Sequence, residues 1–206
     1  GKAVPPVRAP DAPELLPFGD VPLFSWRGSA GASGYDIERS AAVEGPWAVL
    51  ATNVSDAEVA YRPLFSDETA KAGETWFYRV AARNAGGRSA PSNGVGPVRV
   101  RAVCFVDEFA DLSRAAAHSA GLTLDNTYNA RYAEYLFRTC GGPDAWIEYA
   151  VAGPAREARV TAFFAAAQGG PSAPRFLAAR DGQAFAEVTR VRAVERAHIA
   201  PPHAGD

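Results

Sequence analysis

Apolar and polar residues alternate in short runs along the first half of the chain. Val21–Arg27, Gly34–Ser40, Trp47–Ala51, Glu58–Tyr61, Thr75–Asn84 and Val95–Val100 each read as a strand, because a period of two sends successive side chains to opposite faces of a sheet. Glycine and proline are dense, 19 and 16 in number, and they separate short runs instead of long helical ones. That spacing predicts an all-β sandwich. Within the run Trp76 to Arg83, the residues Trp76, Tyr78, Val80 and Ala82 fall on one face and are expected in the core. Arg79 and Arg83 fall on the other with Phe77 and are expected to face water. Phe24 and Trp26 share a face by the same rule, as do Tyr35 and Ile37. Prolines at 5, 6, 10 and 13 bar both helix and central strand, so residues 1–12 read as an extended linker.

The second half carries six further strand candidates: Val103–Phe109, Arg131–Arg138, Ala145–Val151, Ala158–Phe164, Arg175–Arg180 and Ala184–Val191. Between them, Asp111–Ala120 places Leu112, Ala115, Ala116 and Ser119 at helical spacing, which predicts one or two turns of helix. Asp181-Gly182 stands between two apolar runs and predicts a tight hairpin. Beyond Val191 the alternation fades into a segment ending Pro201-Pro202-His203-Ala204-Gly205-Asp206, with no closing strand. A sandwich of about eight strands would be left incomplete by these six.

Composition narrows the function classes. The net charge of -2 and a pI near 6.0 provide no basic field for nucleic acid or anionic lipid, and no apolar run is long enough to span a bilayer. The chain contains no methionine, so it reads as a processed protein or a piece of a longer one, any leader having been removed or lying upstream. Lysine occurs only at Lys2 and Lys71, the remaining basic residues being arginine. With the many alanines, this suggests a GC-rich bacterial genome. Cys104 and Cys140 fit no zinc spacing; they read as one disulfide of a secreted protein or as two buried thiols, with the disulfide preferred. Closing that loop would contribute about 3–4 kcal/mol in a chain-entropy account.

The first-half motifs carry a resemblance. Leu23-Phe24-Ser25-Trp26 is followed by Gly34-Tyr35-Asp36-Ile37-Glu38-Arg39-Ser40. Gly73-Glu74-Thr75-Trp76-Phe77-Tyr78-Arg79-Val80-Ala81-Ala82-Arg83-Asn84 then leads to Gly86-Gly87-Arg88-Ser89-Ala90-Pro91-Ser92. This order is similar to a fibronectin type III domain and covers residues 13–101. One departure is Trp76, which stands where that family has a tyrosine whose hydroxyl bonds to backbone upstream; an indole N–H can donate but cannot accept. Residues 102–206 resemble, through Arg175 to Val188 and Asp144-Ala145-Trp146-Ile147-Glu148-Tyr149, the galactose-binding-like (discoidin-like) jelly rolls. The combined expectation is an all-β chain of two β-sandwich domains in tandem. Such a pairing resembles the accessory regions of secreted bacterial glycoside hydrolases.

The candidate chemistry follows. No nucleophile elbow, dinucleotide-binding turn, phosphate loop or zinc-protease motif is present. Of the three histidines, His198 and His203 sit in the proline-flanked tail, and His118 lies alone. No catalytic residue is therefore assigned. Asp107, Glu108 and Asp111 read first as solvated acids or helix N-terminal charges. The jelly-roll resemblance adds a structural calcium as the alternative, because hard oxygen donors from loops are what calcium takes. Carbohydrate recognition needs aromatic faces beside planar polar groups. Asn126, Tyr128, Asn129, Arg131 and Tyr132 supply both. The expected partners are a polysaccharide or oligosaccharide and an upstream catalytic domain of the same polypeptide, in a secreted, cell-surface or periplasmic setting. The alternative is a structural or adhesion segment that contacts protein.

Overall fold

The computed structural model describes residues 7–56, 63–107, 111–125, 128–129, 134–135, 138–140, 145–151, 155–158, 175–180 and 182–188. For Thr123, Asp125 and the paired residues from 128 to 140 it describes the backbone only. The described residues form an all-β chain of antiparallel ladders without helix.

Among the described residues of the first half nine strands lie: β1 (Glu14–Leu15), β2 (Leu23–Phe24), β3 (Trp26–Arg27), β4 (Gly34–Ser40), β5 (Ala48–Val54), β6 (Phe65–Ser66), β7 (Thr75–Asn84), β8 (Gly87–Arg88) and β9 (Val95–Arg99). β5, β4, β7 and β8 pair in that order, and β9 pairs with the other end of the same β7 edge that β8 uses. β1 pairs with β3 and β2 with β6. The core draws on both the short ladders and the large sheet. Leu15, Phe24 and Trp26 meet Tyr35, Ile37, Tyr78, Val80, Ala82 and Val98; alternation predicts all of these but Leu15 and Val98, and Trp76, expected with them, is only partly buried at the edge of the core. Each full burial of such a side chain removes apolar area worth about 1.5–3 kcal/mol from water.

Between β8 and β9 the chain must pass along one edge of β7 without regular strand pairing, since Pro91 has no N–H to give. Two serines fill the gap. Ser89 Oγ accepts from Ala82 N–H and Ser92 Oγ from Val80 N–H, while both serine N–H groups donate back to the carbonyls of those same residues. Asn93 does the same for β1, accepting from Leu15 N–H and donating to its carbonyl.

Residues 7–12 are extended, and they lie against the β7–β8 turn. Pro10 is buried, and Asn84 Nδ2 donates to the Arg8 carbonyl at 2.9 Å. A Cβ on Gly86 would meet the Val7 and Arg8 backbone at 2.3–2.7 Å, so only glycine permits this approach.

Among the described residues that follow, eight strand segments are present: β10 (Ala117–His118), β11 (Thr123–Asp125), β12 (Tyr128–Asn129), β13 (Glu134–Tyr135), β14 (Arg138–Cys140), β15 (Ile147–Glu148), β16 (Leu177–Ala178) and β17 (Ala186–Glu187). They pair as β10–β15, β11–β14, β12–β13 and β16–β17. A turn closes where the Asp-Gly pair predicts one: Gln183 N–H donates to Arg180 C=O, and Gly182 takes φ +73°, Asp181 lying outside the described residues.

Three expectations are corrected. The helix over 111–120 does not form. Asp111 Oδ1 takes the Ser113 N–H, and the N–H groups of Ala116 and Ser119 donate to Glu148 and Trp146 carbonyls across a β ladder; donors committed to another strand cannot close helical turns. Residues 103–107 are not a strand, because Cys104 C=O and Val106 N–H are engaged by the side chains of Ser66 and Glu68. The run at 145–151 shortens to two paired residues. Glu58–Tyr61, all but the first residue of Ala158–Phe164, and everything after Val188 lie outside the described residues.

Candidate functional site

Two of the carbohydrate candidates, Tyr128 and Asn129, fall on a hairpin register. Thr123 lies opposite Cys140, Asp125 opposite Arg138, Tyr128 opposite Tyr135 and Asn129 opposite Glu134, so β11–β14 and β12–β13 are in step. Tyr128 and Asn129 thus occupy paired strand positions. Asn126, Arg131 and Tyr132 lie outside the described residues, and no side chain of the five is described. The same applies to the pairing of Cys104 with Cys140: the Cys140 side chain is outside the description.

The carboxylate candidates are separated by their hydrogen bonds. Asp107 Oδ2 accepts from the Tyr149 hydroxyl at 2.7 Å. Burial, followed by this bond to a carboxylate, pushes the Tyr149 phenol well above its usual range. Asp111 turns to its own chain, where the Ser113 hydroxyl and N–H hold its carboxyl below the usual carboxylate range. Glu108 lies outside the described residues. Among the described residues no three metal-ligating side chains are grouped.

One aromatic that alternation places only on a strand face emerges as a surface feature. Trp146 is 50% exposed, just ahead of β15. Its backbone is held on both sides: its N–H donates to Ser119 Oγ and its carbonyl accepts from Ser119 N–H. Across the ladder, His118 lies opposite Ile147, next to it in the chain. A half-exposed indole on a pinned backbone offers a flat apolar face with little conformational freedom to lose. Alternation alone does not reveal this, because exposure depends on what packs over the strand.

The first half contains charge clusters that strand periodicity does not reveal. Asp67 is 2% exposed, yet four donors converge on its carboxylate. Thr69 N–H and Oγ1–H reach Oδ1, while the Tyr78 hydroxyl at 2.9 Å and Arg39 Nη1 at 2.7 Å reach Oδ2. Burial, then the charge of Asp67, raises the Tyr78 phenol far above its ordinary value. The Arg39 guanidinium also stacks over the Trp76 ring at 4.1 Å. The Trp76 indole N–H donates to the Glu74 carboxylate at 3.0 Å.

On the opposite face of β4, Asp36 and Glu38 are buried. Arg79 bonds Glu38, Arg83 bonds Asp36, and Arg88 bridges both. Arg79 is therefore folded down on a buried carboxylate instead of lying free toward water, while Arg83 reaches Asp36 and keeps its side chain half exposed, as alternation suggests. Arg79 is further stacked on Trp47 at 4.2 Å. These groups answer one another's charge and act as a structural layer.

No family model matches the chain, and no curated protein matches it. Among the described residues no helix is long and apolar enough to cross a membrane.

Proposed function

We propose that this chain is a non-catalytic accessory region of a secreted bacterial polysaccharide-active enzyme. In this reading residues 13–101 form a fibronectin type III-like β-sandwich that spaces, and residues 102–206 a jelly-roll-like unit that binds glycan. The half-exposed Trp146 indole carries the reading, since sugar C–H groups stack on such a face while polar neighbours take hydroxyls. Asn126, Tyr128, Asn129, Arg131 and Tyr132 remain the proposed polar and aromatic contacts, with calcium near Asp107, Glu108 and Asp111 as an optional structural ion. Calorimetric titration of the full chain against a glycan panel tests it. Saturable binding to at least one oligosaccharide is expected, weakened at least about tenfold by Trp146→Ala, a loss of about 1.4 kcal/mol. Absence of heat with every glycan would overturn it.

A second reading, a structural or adhesion segment, is favoured by one observation. Leu177 and Phe185 are 50% and 53% exposed, and the β16–β17 register puts both on the same face of that hairpin. Exposed apolar side chains gathered this way suit a protein contact. Phe185→Ser would then abolish capture of a protein partner and leave glycan titration unchanged.

A further inference from the structure

We propose that the corner Ser66-Asp67-Glu68 is a docking point that locks residues 104–107, Arg114 and the β10–β15 ladder onto the sheet core of the first half, with Glu68 and Arg114 as its latch. The corner is rigid before anything docks on it. Asp67 is buried and holds four hydrogen bonds, two of them from Arg39 of β4 and Tyr78 of β7. The residues on either side of it point outward to the second half. Ser66 Oγ donates to the Cys104 carbonyl. Glu68 uses both carboxylate oxygens, Oε1 accepting from Val106 N–H at 3.0 Å and Oε2 from the Arg114 guanidinium.

The contacts continue beyond the latch. Arg114 lies over the Phe105 ring at 4.3 Å, and Phe105 meets Tyr149 edge-on at 5.6 Å. Tyr149, next to β15, donates to Asp107. A path of direct contacts thus runs from the buried Asp67 carboxylate to the β10–β15 ladder. An exposed ion pair alone would be worth little. Here the carboxylate also satisfies a backbone N–H that has no strand partner, and the cation is held on an aromatic ring. Those features give the pair a fixed geometry. The consequence is that the segment after Arg101 is not a swivel.

The test is a distance distribution in the full chain. Spin labels on noncanonical residues at Val43 and Val151, both well exposed, avoid the two cysteines and report across the corner by dipolar spectroscopy. The unsubstituted chain should give one narrow peak. Glu68→Gln and Arg114→Gln should each broaden it about two-fold, as expected when an interface between units is released. Amide exchange over 34–40 and 75–84 must stay protected in each variant, and if Glu68→Gln disturbs that protection then Arg114→Gln alone decides. A broad distribution in the unsubstituted chain, or a width that Arg114→Gln leaves unchanged, would overturn the latch.

Discussion

The described residues of 7–100 and of 103–188 are built from the same ladder chemistry and differ in what covers it. In the first half, β4 and β7 stay in register over seven consecutive pairs, and both faces of β4 are covered. In the second, no side chain among the described residues is fully buried. The difference lies in what each strand finds on its faces. Tyr35 and Ile37 meet a shared core, and Asp36 and Glu38 meet three arginines. Leu177 and Phe185 have strong strand chemistry and remain half exposed. β-propensity makes a strand locally; burial against a second layer makes it a core.

The contrast should be visible in truncations. Tyr78→Ala is expected to destabilise the chain by about 4 kcal/mol, because a fully buried aromatic leaves a cavity. Leu177→Ala should cost less than about 0.5 kcal/mol. Urea denaturation of both variants measures this, and equal losses would break the comparison. Asp67→Ala comes next, at about 3 kcal/mol, since it strands the Arg39 guanidinium and the Tyr78 hydroxyl in a buried place. Arg88→Ala should cost only about 1 kcal/mol, because Arg79 and Arg83 still hold the two carboxylates that Arg88 bridges.

The smallest effect sharpens the comparison through pH. Tyr78 and Tyr149 both have phenols raised by burial and then by a nearby carboxylate, Asp67 in one half and Asp107 in the other. A raised phenol contributes stability that is complete below the unfolded value near pH 10 and is lost as pH climbs above it. Alkaline unfolding followed by tyrosinate absorbance should therefore show Tyr78 ionising only as the sheet unfolds. Tyr78→Phe should flatten the alkaline fall in stability more than Tyr149→Phe, because Tyr78 sits in the continuous sheet. The reverse order would place the firmer structure in the second half.

Much of the first half is legible in the order of its residues alone. Period-two alternation places β4 at 34–40 and β7 at 75–84, and it separates Tyr78, Val80 and Ala82 from Arg79 and Arg83. The Asp-Gly turn at 181–182 is equally plain, because a tight hairpin demands those residue types locally. The helix expected at 111–120 fails for the opposite reason: its donors are claimed by Glu148 and Trp146, about 30 residues away, a claim that no local pattern records.

Of the candidate site, the sequence could nominate residue types and nothing of their accessibility. By alternation Trp146 is one more strand aromatic, and only its exposure sets it apart. The strand periods of β4 and β7 and the inward positions of Tyr35, Ile37, Tyr78, Val80 and Ala82 depend on neighbours one to four residues apart and stand in the residue order. That Arg79 and Arg83 reach buried carboxylates, that Asp67 gathers four donors and that Glu68 reaches Val106 and Arg114 came from chain packing. Those outcomes depend on which distant groups share a low-dielectric space, where an unpaired charge is costly and a paired one is held in place.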